Sequence, residues 1–338
     1  MAKHSQIKED KVKRKKKKKH IGLKVFLVIL IIIAVAGAFF AKRVYDLNGN
    51  WLAALMGHNK NTLQNLDRLT FLVMGESGGN TDTIIVCTYD PKTQDASMLS
   101  IPRDTFVGSN QKTARPTDKI NSLYQDGTEP MKTVEAVNEI TGLNIKDYIL
   151  IDTEALKELV DIMGGLEFNV PIDMKYDDYS KGNTLHINLK AGYQKLTGDQ
   201  VEQLTRFRHN NDGSTYPYEY GMEDFGRMKT QRAVIKAIAS QIIKFKNVTE
   251  IGNILDVMKK NVKTNMDLSS FKDYIPYAMN INLDDVKAEQ LPAEPKTLNG
   301  ISFVIYDKAK TKTLINDMFH LNQTTTQEDN TNITNTSL

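Results

Sequence analysis

The segment Ile21–Ala41 is apolar except for Lys24. At about 1.5 Å per residue a helix of this length spans roughly 30 Å, the thickness of one hydrocarbon core. Eight of the nine residues from Lys11 to Lys19 are basic. Flanking positive charge is therefore much heavier on the N-terminal side, which predicts a cytoplasmic N-terminus and everything after the span outside. The rival reading is a cleaved signal peptide, since Ala34-Val35-Ala36 resembles a cleavage site. The apolar run is long for that purpose, so an uncleaved signal-anchor is the expectation. The lysines also favour contact with anionic lipid. On this reading residues 1–20 form a basic cytoplasmic tail, 21–41 a transmembrane helix and 42–68 a connector.

Charge is divided along the chain. Residues 1–43 hold 13 Lys/Arg against Glu9 and Asp10, a balance of +11, so the whole-chain +3 leaves −8 for the remainder. A mildly acidic domain lacks the electrostatic footprint of a nucleic-acid binder. Cys87 is the single cysteine and lies in an apolar run, IIVC. It excludes an intramolecular disulfide and reads as a small buried side chain rather than a nucleophile.

From Leu69 the signals are those of an α/β domain. Leu69–Met74 and Ile84–Tyr89 read as buried strands joined by a glycine-rich loop, GESGGNTD. Ala96–Ile101 reads as a third strand, stopped by Pro102. Pro130 opens a helix closed by Gly142, Tyr148–Ile151 is a strand, and Glu154–Met163 is a helix ended by Gly164-Gly165. Leu166–Val170 is a strand, followed by a polar loop, DMKYDDYSKGN, and by Leu185–Leu189. A short helix near Asp199–Leu204 precedes an extended Thr205–Arg208, and a long helix starts near Asp224. Residues 245–320 carry helical and strand patterns that sequence alone does not arrange. Residues 321–338, low in complexity from Thr324 on, read as disordered. Alternating strands and helices point to a layered α/β sheet domain.

Arginine usage singles out candidate site residues. After residue 43 only seven of 31 basic residues are arginine: Arg68, Arg103, Arg115, Arg206, Arg208, Arg227 and Arg232. Arg103 follows a buried strand, where α/β sheets commonly border a ligand crevice. In an extended segment Arg206 and Arg208 project to one face while Phe207 enters the core. Two such guanidinium groups repel unless a polyanion or carboxylates lie between them; surface ion pairs are the plainer alternative. On the long helix, Ile235, Ile238 and Ile242 form one stripe whose N-terminal extension is Gln231, Arg227 and Asp224. A face that turns from apolar to polar lines a polar cavity, and the helix start offers N–H groups to an anion.

Asp82, at the end of the glycine-rich segment, and Asp104 supply carboxylates. Arginines with isolated carboxylates suit a phosphate ester with Mg²⁺; a loop cap is the plainer role for Asp82. Asp173, Asp177 and Asp178 read first as a solvated loop and second as a metal site. His186 and His209 are isolated, with no zinc-ligand spacing. GESGGNTD lacks the Lys-Ser/Thr ending of a phosphate-binding P-loop.

Seven segments in order then carry a resemblance: NTDTIIV (80–86), SIPRDT (100–105), KINSLY (119–124), VDIMGGLEFNVPIDMKYDD (160–178), LHINLKAGYQKLTG (185–198), RFRH (206–209) and DFGRMKTQR (224–232). Over residues 69–235 the chain resembles the LytR-CpsA-Psr family of cell-wall glycopolymer ligases. The resemblance implies a three-layer α/β/α domain with a central mixed sheet over residues 69–320. It implies a phosphotransferase that moves a teichoic-acid or capsular glycopolymer phosphate from a polyprenyl pyrophosphate carrier onto peptidoglycan, releasing polyprenyl phosphate. It assigns Asp82 to Mg²⁺, and Arg103, Lys119, Arg206, Arg208, Arg227 and Gln231 to the pyrophosphate, with Asp224 as an acidic site residue; Arg103, Arg227 and Asp224 are the catalytic candidates. Family members often have an acidic residue where this chain has Ser77. Glu76 is adjacent, but one step along a strand end faces elsewhere.

Other functions use the same residues differently. A pyrophosphatase would replace the acceptor by water. A transcriptional regulator would need a DNA-binding module, and the roughly twenty residues before the membrane are too few for a helix-turn-helix. A non-catalytic glycan-binding module would display aromatic residues, yet the single Trp, Trp51, lies outside the core region.

Overall fold

A strand whose alternate side chains are apolar on both faces must be covered on both, and β1 (Leu69–Ser77) and β2 (Asn80–Tyr89) are of this kind. The computed structural model describes residues 33–125, 128–180, 185–244, 262–267 and 273–319. The chain divides into two units, Met1–Leu66 and Asp67–Leu338.

In the first unit residues 33–46 form a helix, α1. It bears exposed Ile33, Val35, Phe39 and Phe40. Residues 21–32 of the expected membrane span lie outside the described residues, and no described helix is long and apolar enough to cross a membrane. Residues 42–68 are partly helical. Asn50 caps α2 (Trp51–Leu55), and Asn59 with Thr62 forms a capping box on α3 (Lys60–Asn65).

The second unit is built on a six-stranded mixed sheet in the order β10-β3-β2-β1-β4-β9. Its strands are β1, β2, β3 (Ala96–Ser100), β4 (Asp147–Asp152), β9 (Val262–Thr264) and β10 (Lys287–Gln290). β1 pairs antiparallel with β2 and parallel with β4. Leu72, Met74, Ile84, Val86, Leu99 and Leu150 face α4 (Met131–Thr141) and the C-terminal helix Lys308–Phe319. On the opposite face Phe71, Val73, Ile85, Cys87 and Met98 meet Ile235 of α7 (Glu223–Lys244). Helices therefore cover both faces.

A second core joins α5 (Thr153–Ile162), α6 (Gly198–Arg206) and α7 to two small antiparallel ribbons. These are β5 (Leu166–Val170) with β8 (Gly192–Leu196), and β6 (Met174–Asp177) with β7 (His186–Leu189). Beyond α7 the described chain adds β9, the short helix Ile275–Ala278, β10, the hairpin β11 (Ala293–Leu298)–β12 (Ile301–Tyr306) and the C-terminal helix. The expected tail, residues 321–338, lies outside the described residues.

Three local expectations need correction. GESGGNTD is no loop: both strands run through it and only Gly78 and Gly79, with φ of 62° and 86°, make the turn. Two consecutive positive-φ residues match the twist of a tight hairpin, and glycine adopts them without strain. Asp82 is thus a strand residue. The loop DMKYDDYSKGN begins as strand β6, because Met174 is buried in the core and Asn210 and Asn211 accept hydrogen bonds from the backbone of Lys175 and Asp177. Arg206 is the last residue of α6 rather than part of an extended strand; Phe207 caps the helix and is fully buried, as the pattern required.

Candidate active site

Asp82 owes its position to a backbone irregularity. Gly75 pairs with Thr83 and Glu76 with Thr81, so Asp82 is an extra residue between them, a β-bulge. Bulges re-aim side chains at sheet edges and beside sites. Gly75 is required there, since a Cβ at that position would come within 2.9 Å of Thr83 Cβ. Both Asp82 and Thr83 line a cavity of about 590 Å³ between the sheet and helices α5 and α7.

The lining of this cavity is chemically mixed. Asp82, Arg103, Arg206, Arg208, Arg227 and Gln231 belong to it. Val73, Met74, Ile149, Ile151, Leu156, Leu159, Leu185, Val234, Ile235, Ile238 and Ile242 are its apolar lining, and Glu76, Ser77, Asp152, Thr153, Asp178 and Thr205 also border it. The α7 stripe read from the sequence runs along this wall, polar at Arg227 and Gln231 and apolar from Val234 onward. Residues from β1, β4 and α5, with Leu185, complete the apolar part, and nothing local in their sequence marks them as a cavity.

The arginines are only partly satisfied. Arg103 Nη1 donates to Asp82 Oδ1 at 2.7 Å. Arg206 is held by Glu202 at 2.9 Å, one helical turn earlier. Lys157, 3.4 Å from Glu202, also ties that carboxylate to α5. Asp224 bridges Arg227, at 2.7 Å, and Arg208, at 3.4 Å. The Arg227–Asp224 contact is close but misaligned, and neither Arg227 Nη2 nor Asp224 Oδ1 makes a hydrogen bond. Arg103 Nε, Arg208 Nε and Arg227 Nε are likewise buried without hydrogen-bond partners among the described residues.

Arg227 is only 4% exposed. Burial lowers its pKa, and neighbouring Arg103 and Arg208 lower it further, against the opposing pull of Asp224 and Asp82. For Arg103 burial also acts downward, but Asp82, Asp224 and Asp104 outweigh it and raise its pKa. Buried donors left open on mutually repelling cations are the kind of arrangement that an anion would relieve.

Other expected residues fall in different places. Lys119 does not line the cavity. It binds Asp104 at 2.6 Å, and Asp104 lies 3.7 Å from Arg103, so Lys119 joins the cluster through one carboxylate. Gln231 donates to the Thr205 carbonyl, bracing the Arg206–Arg208 segment against α7. Of the first α7 amides, Glu223 N donates to Thr215 Oγ1, and Phe225 N and Gly226 N donate to the Met222 carbonyl. These amides are engaged within the protein, whereas guanidinium groups of the cluster keep open donors.

The three acids of the 173–178 segment separate. Asp173 pairs with Lys190, Asp177 with His186, and Asp178 borders the cavity. His209 packs its ring edge-on against Tyr176. Arg232, the last arginine of the helix motif, donates to Ser100 Oγ and ties α7 to β3. Cys87 is buried, and burial pushes its thiol up to about 12. Glu202 and Lys157 escaped the sequence reading, although the four-residue spacing of Glu202 and Arg206 was a usable signal.

Residues 8–320 match the LytR_cpsA_psr family. The chain is 28% identical over 311 residues to the polyisoprenyl-teichoic acid–peptidoglycan teichoic acid transferase TagU of Bacillus licheniformis, covering 88% of this chain and 94% of the relative. It is 31% identical over 250 residues to the protein of the same name from Bacillus cereus, covering 72% and 74%. The crystal structure of Bacillus subtilis TagV superimposes with a TM-score of 0.61 at 23% identity, over 75% of this chain and 98% of that one, a likeness of fold.

Proposed function

Because the chain belongs to the LytR-CpsA-Psr family, we propose that it transfers a glycopolymer phosphate from a polyprenyl pyrophosphate carrier onto peptidoglycan. The observation that carries this reading is one cavity lined both by a guanidinium cluster and by aliphatic side chains. Such a cavity suits a ligand that is a polyanion at one end and a hydrocarbon at the other. A soluble nucleotide or sugar phosphate would leave eleven apolar lining residues facing water, whereas a prenyl chain buries them.

In this assignment Arg103, Arg206, Arg208 and Arg227 hold the pyrophosphate, their open donors meeting its oxygens. Asp224 keeps Arg208 and Arg227 together before the ligand arrives. An acceptor hydroxyl attacks the phosphorus that carries the glycopolymer, the bond to the bridging oxygen breaks, and polyprenyl phosphate leaves. Charge that develops on the leaving phosphate is stabilised by guanidinium groups already in place. Lys119 contributes through Asp104, which bears on the orientation of Arg103.

Mg²⁺ fits the donor chemistry. It takes oxygen ligands and is commonly held by one or two carboxylates together with substrate phosphates, and Asp82 supplies a carboxylate beside the proposed pyrophosphate position. Bound there it would neutralise phosphate charge as a Lewis acid. The expected uncleaved anchor at residues 21–41, with the catalytic unit outside the cell, would confine the site near a carrier that never leaves the bilayer.

The test is a transfer assay with the full-length chain, a synthetic lipid-pyrophosphate glycan and peptidoglycan fragments, with and without Mg²⁺. Glycan should become covalently attached to peptidoglycan, and Asp82→Ala should abolish attachment while Asp178→Ala leaves most of it. Release of free glycan phosphate at the same rate without peptidoglycan would show a pyrophosphatase instead.

A further inference from the structure

Asp82 cannot serve Arg103 and a cation at the same time with the same oxygens. The Arg103–Asp82 hydrogen bond, 2.7 Å long, is half sheltered, with the two side chains 22% and 29% exposed. The carboxylate has little freedom to turn away, because the bulge between Gly75 and Glu76 sets its direction. On the neighbouring strand the cavity is bordered by Val73, Met74, Gly75, Glu76 and Ser77. The Glu76 carboxylate is already engaged, its Oε2 accepting a hydrogen bond from the buried Tyr124 hydroxyl at 3.1 Å. Ser77 offers only a neutral oxygen. A carboxylate already engaged by a guanidinium is a poor cation ligand.

We propose that Asp82 exchanges partners: Arg103 holds it in the ligand-free site, and it becomes a divalent-cation ligand only when a pyrophosphate takes over Arg103. The proposal rests on the phosphotransferase reading above. The exchange leaves no charge stranded. Arg103 has a second donor, Nε, buried and without a hydrogen bond, so a phosphate oxygen can replace Asp82 as its partner. The freed carboxylate and the phosphate oxygens then complete an oxygen ligand set for the cation. Cation and pyrophosphate therefore bind with positive coupling. By linkage each tightens the other by the same factor, and couplings of this kind are commonly about 5- to 150-fold.

The consequence runs against simple intuition: removing Arg103 should improve cation binding to the empty protein. Mn²⁺ serves as the probe, titrated by electron paramagnetic resonance into the full-length chain in detergent micelles. The titration is run alone and with geranyl pyrophosphate, and a protein-free blank subtracts chelation by the free anion. For the parent protein, geranyl pyrophosphate should tighten Mn²⁺ binding by about tenfold or more. Arg103→Gln should tighten anion-free binding and lose most of the coupling. Ser77→Asp should also tighten anion-free binding, by adding a carboxylate, while Glu76→Gln should leave both numbers unchanged.

Equal Mn²⁺ affinity with and without the anion would overturn the exchange, as would weaker anion-free binding in Arg103→Gln. Loss of coupling in Glu76→Gln would make Glu76 a cation ligand and overturn the assignment of that role to Asp82. A melting temperature of the parent that geranyl pyrophosphate does not raise would refute the pyrophosphate reading itself. A raised melting temperature without Mn²⁺ coupling would refute the exchange alone.

Discussion

Replacing Arg227 with methionine separates a built anion site from an architectural ion pair. Arg227 is buried, and two of its nitrogens, Nε and Nη2, make no hydrogen bond. Each buried unsatisfied donor costs about 1–3 kcal/mol, so methionine, of similar length and without polar atoms, removes that penalty for Nε, while Nη2 already lies 2.7 Å from Asp224. Against this stands the lost attraction to Asp224. Stranding a buried carboxylate typically costs about 3–5 kcal/mol. Asp224, however, is 25% exposed and keeps Arg208 at 3.4 Å, so the low end of that range is the relevant one. The two effects largely cancel, and the variant should melt within a few degrees of the parent, at about 2–4 °C per kcal/mol for a domain near this size. Transfer should fall by about 10²–10³, as when one donor to developing transition-state charge is removed. Thermal melts with and without a polyprenyl phosphate, run beside the transfer assay, give both numbers. The ligand should raise the parent's melting temperature more than the variant's. A methionine variant that melts about 10 °C lower yet transfers normally would refute the reasoning and make Arg227 a structural residue.

Three further outcomes are expected. A reporter active only outside the cytoplasm, fused after Leu321, should be active in cells; activity of a cytoplasmic reporter instead would reverse the topology. Gly226→Ala should lower the urea midpoint and impair transfer together, because its Cβ would lie 2.2 Å from both the Gly221 carbonyl oxygen and Tyr216 Cδ2. The expected destabilisation is about 1–3 kcal/mol or more, and an unchanged midpoint would show that α7 does not pack as described. Cys87 should resist a thiol reagent at pH 8 in the native protein and react on unfolding. Its pKa is raised by burial from 9.0 to about 12 in the folded chain. The folded state thus keeps a proton that the unfolded state loses, so this thiol's contribution to stability is full below pH 9 and falls as pH rises towards 12. Rapid native labelling at pH 8 would contradict that burial.

Much of the fold was legible because local signals carried it. Turn residues after Tyr89, the Gly142 and Gly164-Gly165 helix ends, and the alternation through Leu166–Val170 report backbone requirements that no distant contact has to supply. The misread segments are those where distant partners decide. GESGGNTD reads as a loop by composition, but two-stranded pairing carries the strands through it to a two-residue turn. The Met174–Asp177 segment reads as a polar loop, yet Asn210 and Asn211, over thirty residues away, satisfy its edge.

At the site the same division holds. The sequence by itself determined which residues are chemically unusual: sparing arginines, a helix face that changes from polar to apolar, and a lone aspartate after glycines. Those properties belong to single elements and appear as spacing. Only the tertiary structure decided that Arg103, Arg206, Arg208 and Arg227 share one cavity and that Lys119 reaches it through Asp104. Only the tertiary structure shows aliphatic side chains lining the same cavity as the arginines. The cavity's apolar walls come mostly from β1, β4, α5 and α7, each of which reads alone as ordinary core. Burial against a neighbour and burial around an empty space demand the same apolar residues, and only the assembled packing tells them apart.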